Sequence, residues 1–156
     1  MTTAAVSKES LSVLMVGNNP TELGTILDRL KEVKGKEFVT AFAFDWKSCL
    51  QCLSAFKPVY IIIDDNIGNE ELQLSVKSFL ARKATRNVPI TIIKNSNYEE
   101  RLINGPLNYI LKSNVTGDLL NNALVNSTTY RKAQQYLQEA YKKRKGKLKE
   151  ILKATF

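Results

Sequence analysis

Between Pro58 and Asn66 the chain reads PVYIIIDDN, an unbroken apolar run that ends in two adjacent carboxylates. A half-exposed strand or an amphipathic helix would break such a run with polar residues. One this short, bounded by proline and acids, reads as a strand covered on both faces. Covering both faces takes helices on each side, so the run commits the chain to layered α/β architecture with a parallel sheet. In open sheets of that kind the carboxyl ends of the strands form the ligand crevice, which puts Asp64 or Asp65 at a site rather than on bulk surface.

The flanking sequence supplies the other layers. LSVLMV (11–16) reads as a first buried strand and passes directly into GNNPTE, where Asn19 can cap a helix, Pro20 suits its first position and Glu22 can complete a capping box. Leu23, Ile26, Leu27 and Leu30 follow at helical spacing until Lys34 and Gly35 end the pattern, and EFVTAFAF (37–44) makes a second strand. Asp45 can cap a second helix carrying Leu50, Leu53 and Phe56, which stops before Pro58. Residues 69–83 read as a third helix with Leu72, Val76, Phe79 and Leu80 inward, and VPITII (88–93) as a fourth strand. A polar loop with a short helix (94–105), a fifth strand LNYILK (107–112) and a helix from Asp118 onward complete the alternation.

The expected fold is doubly wound (βα)5: a five-stranded parallel sheet in a three-layer α/β/α arrangement, with a C-terminal helical extension. The expected organisation is a disordered segment (1–10), a folded domain (11–129) and a basic helical tail (130–156). A chain of 156 residues fits a single core of that size.

Composition removes several chemistries. The chain has no histidine, so hydrolase triads with histidine, zinc deaminase chemistry and a phosphohistidine on this chain are excluded. Cys49 and Cys52 fall inside the second helix rather than at its N-terminus, which favours core packing over a redox pair. No run approaches the roughly 18 apolar residues of a membrane span, and residues 1–10 lack the basic and apolar regions of a signal peptide, so a soluble cytoplasmic protein is expected. Residues 130–156 hold nine Lys or Arg against Glu139 and Glu150, which accounts for +7 of the net charge of +8 and leaves the folded part nearly neutral.

At the sheet's carboxyl edge the residues resemble a known family. PVYIIID, ending at Asp64, and NYILK, carrying Tyr109 and Lys112, resemble the third and fifth strands of the response-regulator receiver domain, a CheY-like, flavodoxin-like fold, over about residues 11–129. The resemblance implies that Asp64 is the phosphoacceptor, Tyr109 the switch aromatic and Lys112 the invariant lysine. It also implies Mg²⁺ held by two acids ending the first strand, by Asp64 and by the backbone carbonyl of Asn66.

The chain departs from that pattern in the pocket. Gly17 and Asn18 stand where the resemblance expects the acid pair, and Lys94 stands where it expects Thr or Ser. Magnesium favours charged oxygens, and Asn18 offers only a neutral amide while Gly17 offers no side chain, so no metal site is expected beyond weak candidates in Asp64 and Asn66. Asp65 can add a charge only if the chain bends after Asp64. Lys94 and Lys112 are expected at Asp64, with an ammonium in the space of the missing metal. Gly68, Ser113 and the Gly105–Pro106 pair also depart from the resemblance.

The expected function is an atypical receiver-like signalling module of the two-component type. It acts by protein–protein interaction without Mg²⁺-dependent phosphorylation and has no catalytic residue and no cofactor. Its expected partner is a protein, a histidine kinase or an effector. The alternatives are a phosphorelay receiver phosphorylated on Asp64 and a nucleic-acid-binding protein using the basic tail; the tyrosines there sit at helical spacing rather than on a stacking platform, so nucleic acid is not expected. Tyr130, Ala133, Leu137, Ala140 or Tyr141, Leu148 and Ile151 form a three-and-four stripe that could pair two copies of the tail, interrupted at Arg144.

Overall fold

The computed structural model describes residues 9–96 and 107–155. Five parallel strands form one sheet in the order β2-β1-β3-β4-β5: β1 (Glu9–Val16), β2 (Lys36–Ala43), β3 (Tyr60–Asp64), β4 (Ile90–Lys94) and β5 (Leu107–Leu111). The helices are α1 (Pro20–Lys31), α2 (Trp46–Leu53), α3 (Asn69–Ala81) and α4 (Gly117–Thr155). This is the doubly wound order in which the chain reverses direction across the sheet between β1 and β3, opening a crevice beyond their carboxyl ends.

Two cores lie on the two faces of the sheet, as alternation along each strand requires. Leu14, Val16, Ile61, Ile63, Ile90 and Ile92 face Cys49 of α2 and Val76 and Phe79 of α3. Val13, Met15, Tyr60, Ile62 and Ile93 face Leu23, Ile26 and Leu30 of α1 and Leu120 and Leu124 of α4. β3 and β4 are buried along their whole length, which is why their sequences run without polar interruption.

Element boundaries shift where local patterns were ambiguous. β1 begins at Glu9, so Glu9 and Ser10 pair with Lys36 and Glu37 and belong to the sheet rather than to a disordered segment. β4 begins two residues after Val88 and takes in Lys94. α2 ends at Leu53, leaving Phe56 outside it and Leu50 on its exposed side, because Cys49 takes the inward position. The short helix expected in the 94–105 loop, and the Gly105–Pro106 pair, lie outside the described residues.

Gly68 and Gly117 show the two reasons a glycine is required here, backbone form and close approach. Gly68 takes φ 96°, which an L side chain adopts only under strain, as the chain turns into α3. A Cβ on Gly117 would stand 2.5 Å from the Arg29 carbonyl oxygen, so glycine there lets α4 start against the end of α1.

Candidate functional site

Asp64 ends β3, and the chain then turns through a single 3₁₀ turn, Asp65–Ile67. That turn supplies the bend Asp65 needs to reach the same crevice. Asp64 is fully buried. Its Oδ1 accepts from the Asn66 backbone N–H at 3.0 Å and from Asn95 Nδ2 at 2.8 Å. Its Oδ2 stands 2.7 Å from Lys112 Nζ.

Lys112 begins the turn after β5 and is held from three sides. Besides Asp64, its ammonium donates to Glu22 Oε2 at 2.9 Å and to Asn95 Oδ1 at 2.6 Å. Burial works against the charged ammonium, but the carboxylates of Asp64 and Glu22 outweigh it and raise the pKa above the ordinary lysine value. The same hydrogen bond from Lys112 lowers the pKa of Glu22 against slight desolvation. The outer side of Lys112 opens on a cleft of about 180 Å³ whose lining includes Thr25, Arg29 and Ser113.

The residues at the end of β1 take unexpected places. Gly17 is buried, and a Cβ built on it would lie 2.8 Å from a Leu23 methyl and 3.0 Å from Leu23 Cγ. Leu23 is itself fully buried, so the space beside Gly17 is filled by core. Asn18 contributes its backbone N–H, which donates to Asn66 Oδ1 at 2.9 Å. Asn66 in turn donates from Nδ2 to Glu22 Oε2 at 2.9 Å. Its side chain therefore ties the end of β1 to the first turn of α1.

Lys94 goes elsewhere than expected. It lies on the strand face shared with Ile90 and Ile92, is 5% exposed, and holds its Nζ 5.9 Å from the centre of the Tyr109 ring. Among the described residues the cation paired with Asp64 is Lys112. The next residue, Asn95, reaches the acids: its backbone N–H donates to Asp65 Oδ1 at 3.1 Å, and its Nδ2 donates to Asp65 Oδ1 as well as to Asp64. The physical reason is alternation, since residue 94 still lies in the strand while residue 95 has left it and can turn its amide into the crevice.

Two site residues escaped the sequence reading. Glu22 was expected to cap its own helix; Asn19 alone caps α1, accepting from the Thr21 and Glu22 N–H groups, while the Glu22 carboxylate crosses to Lys112 and Asn66. The usable signal was that α1 follows β1 directly, which sets its first turn at the crevice. Asn95 carried no periodic signal, because it lies just beyond its strand.

No family model matches the chain, and no curated protein matches it. Solved structures do. The signal receiver domain of a histidine kinase from Syntrophus aciditrophicus superposes with a TM-score of 0.61 at 16% identity, covering 76% of this chain and 90% of that one. The chain has the fold of a response-regulator receiver domain. A chemotaxis response regulator of Vibrio cholerae gives 0.59 at 18% identity, covering 76% and 98% of the two chains. The receiver domain of a sensor histidine kinase from Pseudomonas aeruginosa, which has magnesium coordinated in its active site cleft, gives 0.59 at 16%, covering 74% and 94%. Within this receiver fold, Asp64, Asp65, Asn66 and Lys112 meet in the crevice at the sheet's carboxyl edge, joined by Glu22 and Asn95. Among the described residues no group of three His, Cys, Asp or Glu is placed to hold a metal, and no helix is long and apolar enough to cross a membrane.

Proposed function

We propose that this chain is an atypical receiver-like signalling module that works by binding a partner protein and without Mg²⁺-dependent phosphorylation. The observation that carries the reading is the seat of Lys112, whose ammonium lies 2.7 Å from Asp64 Oδ2 and 2.9 Å from Glu22 Oε2. A fixed cation already neutralises the carboxylate that a hard dication would need. The remaining donors are already engaged: a Cβ at Gly17 would meet Leu23, the Glu22 carboxylate is held by Lys112 and Asn66, the Asp65 carboxylate by Asn95, and the Asn66 and Asn95 amides are neutral and committed to those acids. Phosphoryl transfer to a carboxylate relies on a metal to offset the charge gathered on the phosphoryl oxygens. Without that ion the pocket favours the one state in which Lys112 is shared between Asp64 and Glu22, a pre-formed binding surface rather than a switch.

On this reading the protein is not an enzyme, acts in the cytoplasm, and meets a histidine kinase or an effector through its folded domain. Phosphorylation of Asp64 is the second reading, favoured by the retained Asp64–Lys112 pair at the mouth of the sheet. Intact mass after incubation with acetyl phosphate, with and without Mg²⁺ and with Asp64→Asn as control, separates the two. We expect no adduct. An adduct that needs both Mg²⁺ and Asp64 would replace the first reading with the second.

A further inference from the structure

α4 packs on the sheet through Leu120 and Leu124 and then runs on to Thr155. Along its second half Leu137, Tyr141, Leu148 and Leu152 succeed one another at intervals of four, seven and four, which puts them on one face of a helix. They are 66%, 65%, 57% and 48% exposed. Residues 142–149 carry six cations, all exposed, and the nearest acids are Glu139 and Glu150. Whatever covers this helix has to match an apolar face and a dense positive charge together.

A second copy of the helix matches the apolar face but sets six cations against six more. It would also bury Arg144, which lies seven residues after Leu137 and four before Leu148, on the same face. Nucleic acid matches the charge but leaves the leucines in water. An anionic lipid surface matches both: the apolar face enters the boundary between headgroups and acyl chains, the lysines meet the headgroups, and Arg144 reaches them along its own stem. Residues 137–152 would lie in the membrane plane over about 24 Å, at 1.5 Å per residue.

We propose that the second half of α4 is an interfacial helix that docks the protein on anionic membrane surfaces.

Flotation of the full-length protein with phosphatidylcholine vesicles, with and without phosphatidylserine, tests it. Expected is binding to phosphatidylserine-containing vesicles at low salt, release at high salt, and no binding to phosphatidylcholine alone. Leu137→Glu/Leu148→Glu should abolish binding, and Lys142→Gln/Lys143→Gln/Lys145→Gln should weaken it roughly a hundredfold, with circular dichroism unchanged in both because every altered side chain is exposed. Failure to float with phosphatidylserine at low salt overturns the proposal. So does binding that survives the paired glutamates, since charge alone would then be acting. A dimer in light scattering that the paired glutamates dissolve, without vesicle binding, would assign the face to a second copy instead.

Discussion

The Lys112 ammonium, about one-quarter exposed, stands 2.7 Å from an Asp64 carboxylate that solvent does not reach. Removing the cation leaves the carboxylate in the interior with, among the described residues, the Asn66 N–H and the Asn95 amide as its donors. Lys112→Met should therefore cost about 3 kcal/mol in urea denaturation. Adding Asp64→Asn should return part of that loss, because the uncompensated charge is gone; a double variant no more stable than Lys112→Met would show that the pair does not account for the cost.

Gly17→Asp, the change that would place an acid at the end of β1, drives a side chain into Leu23 of the α1 core. Overpacking of this kind costs about 1–3 kcal/mol. The variant should unfold at lower urea than the parent, and Leu23→Ala in the same chain should relieve the clash while opening core of its own.

Asn95→Asp sets a third carboxylate against Asp64 and Asp65 and removes the amide that both accept from. Stability near neutral pH should fall by about 1–3 kcal/mol. Magnesium should restore part of it, since a carboxylate at position 95 beside Asp64 and Asp65 adds a charged oxygen of the kind magnesium favours. Thermal melts with and without Mg²⁺ measure both effects, and the parent protein should not respond.

Lys112 and Glu22 shape opposite limbs of the stability curve. The pKa of Lys112 is raised in the fold, so its contribution is complete below the ordinary value of 10.5 and is lost as pH rises through the folded value. The pKa of Glu22 is lowered, so its contribution is complete above the ordinary value of 4.5 and is lost as pH falls through the folded value. In melting temperature against pH, Glu22→Gln should flatten the acid limb, and Lys112→Met should flatten the alkaline one.

Leu124 and Leu148 belong to one helix but to different surroundings, 6% and 57% exposed. Leu124→Ala should cost about 2–5 kcal/mol by opening a cavity under the sheet. Leu148→Ala should stay within about 0.5 kcal/mol, because its side chain is mostly exposed. Equal losses would mean that the second half of α4 is covered by another surface in the free protein.

The sequence by itself determined the sheet, its parallel sense and the acids at its edge. Runs such as YIIID and ITIIK carry their own burial, and helix starts such as Asn19–Pro20 are written in neighbouring residues whose effects are local. It also marked Gly17 and Asn18 as residues without a carboxylate just after the first strand, because residue identity is visible without coordinates.

Only the tertiary structure decided which charges meet. Glu22 and Lys112 are ninety positions apart and share a hydrogen bond because the first turn of α1 and the end of β5 converge on one crevice. Lys94 looked like the pocket cation and Asn95 like a loop residue, yet the end of β4 falls between them, turning the ammonium to Tyr109 and the amide to Asp64. Pairings of that kind depend on where strands end and on which face each side chain leaves. Those positions are set by contacts between distant segments, and the local pattern of residues does not carry them.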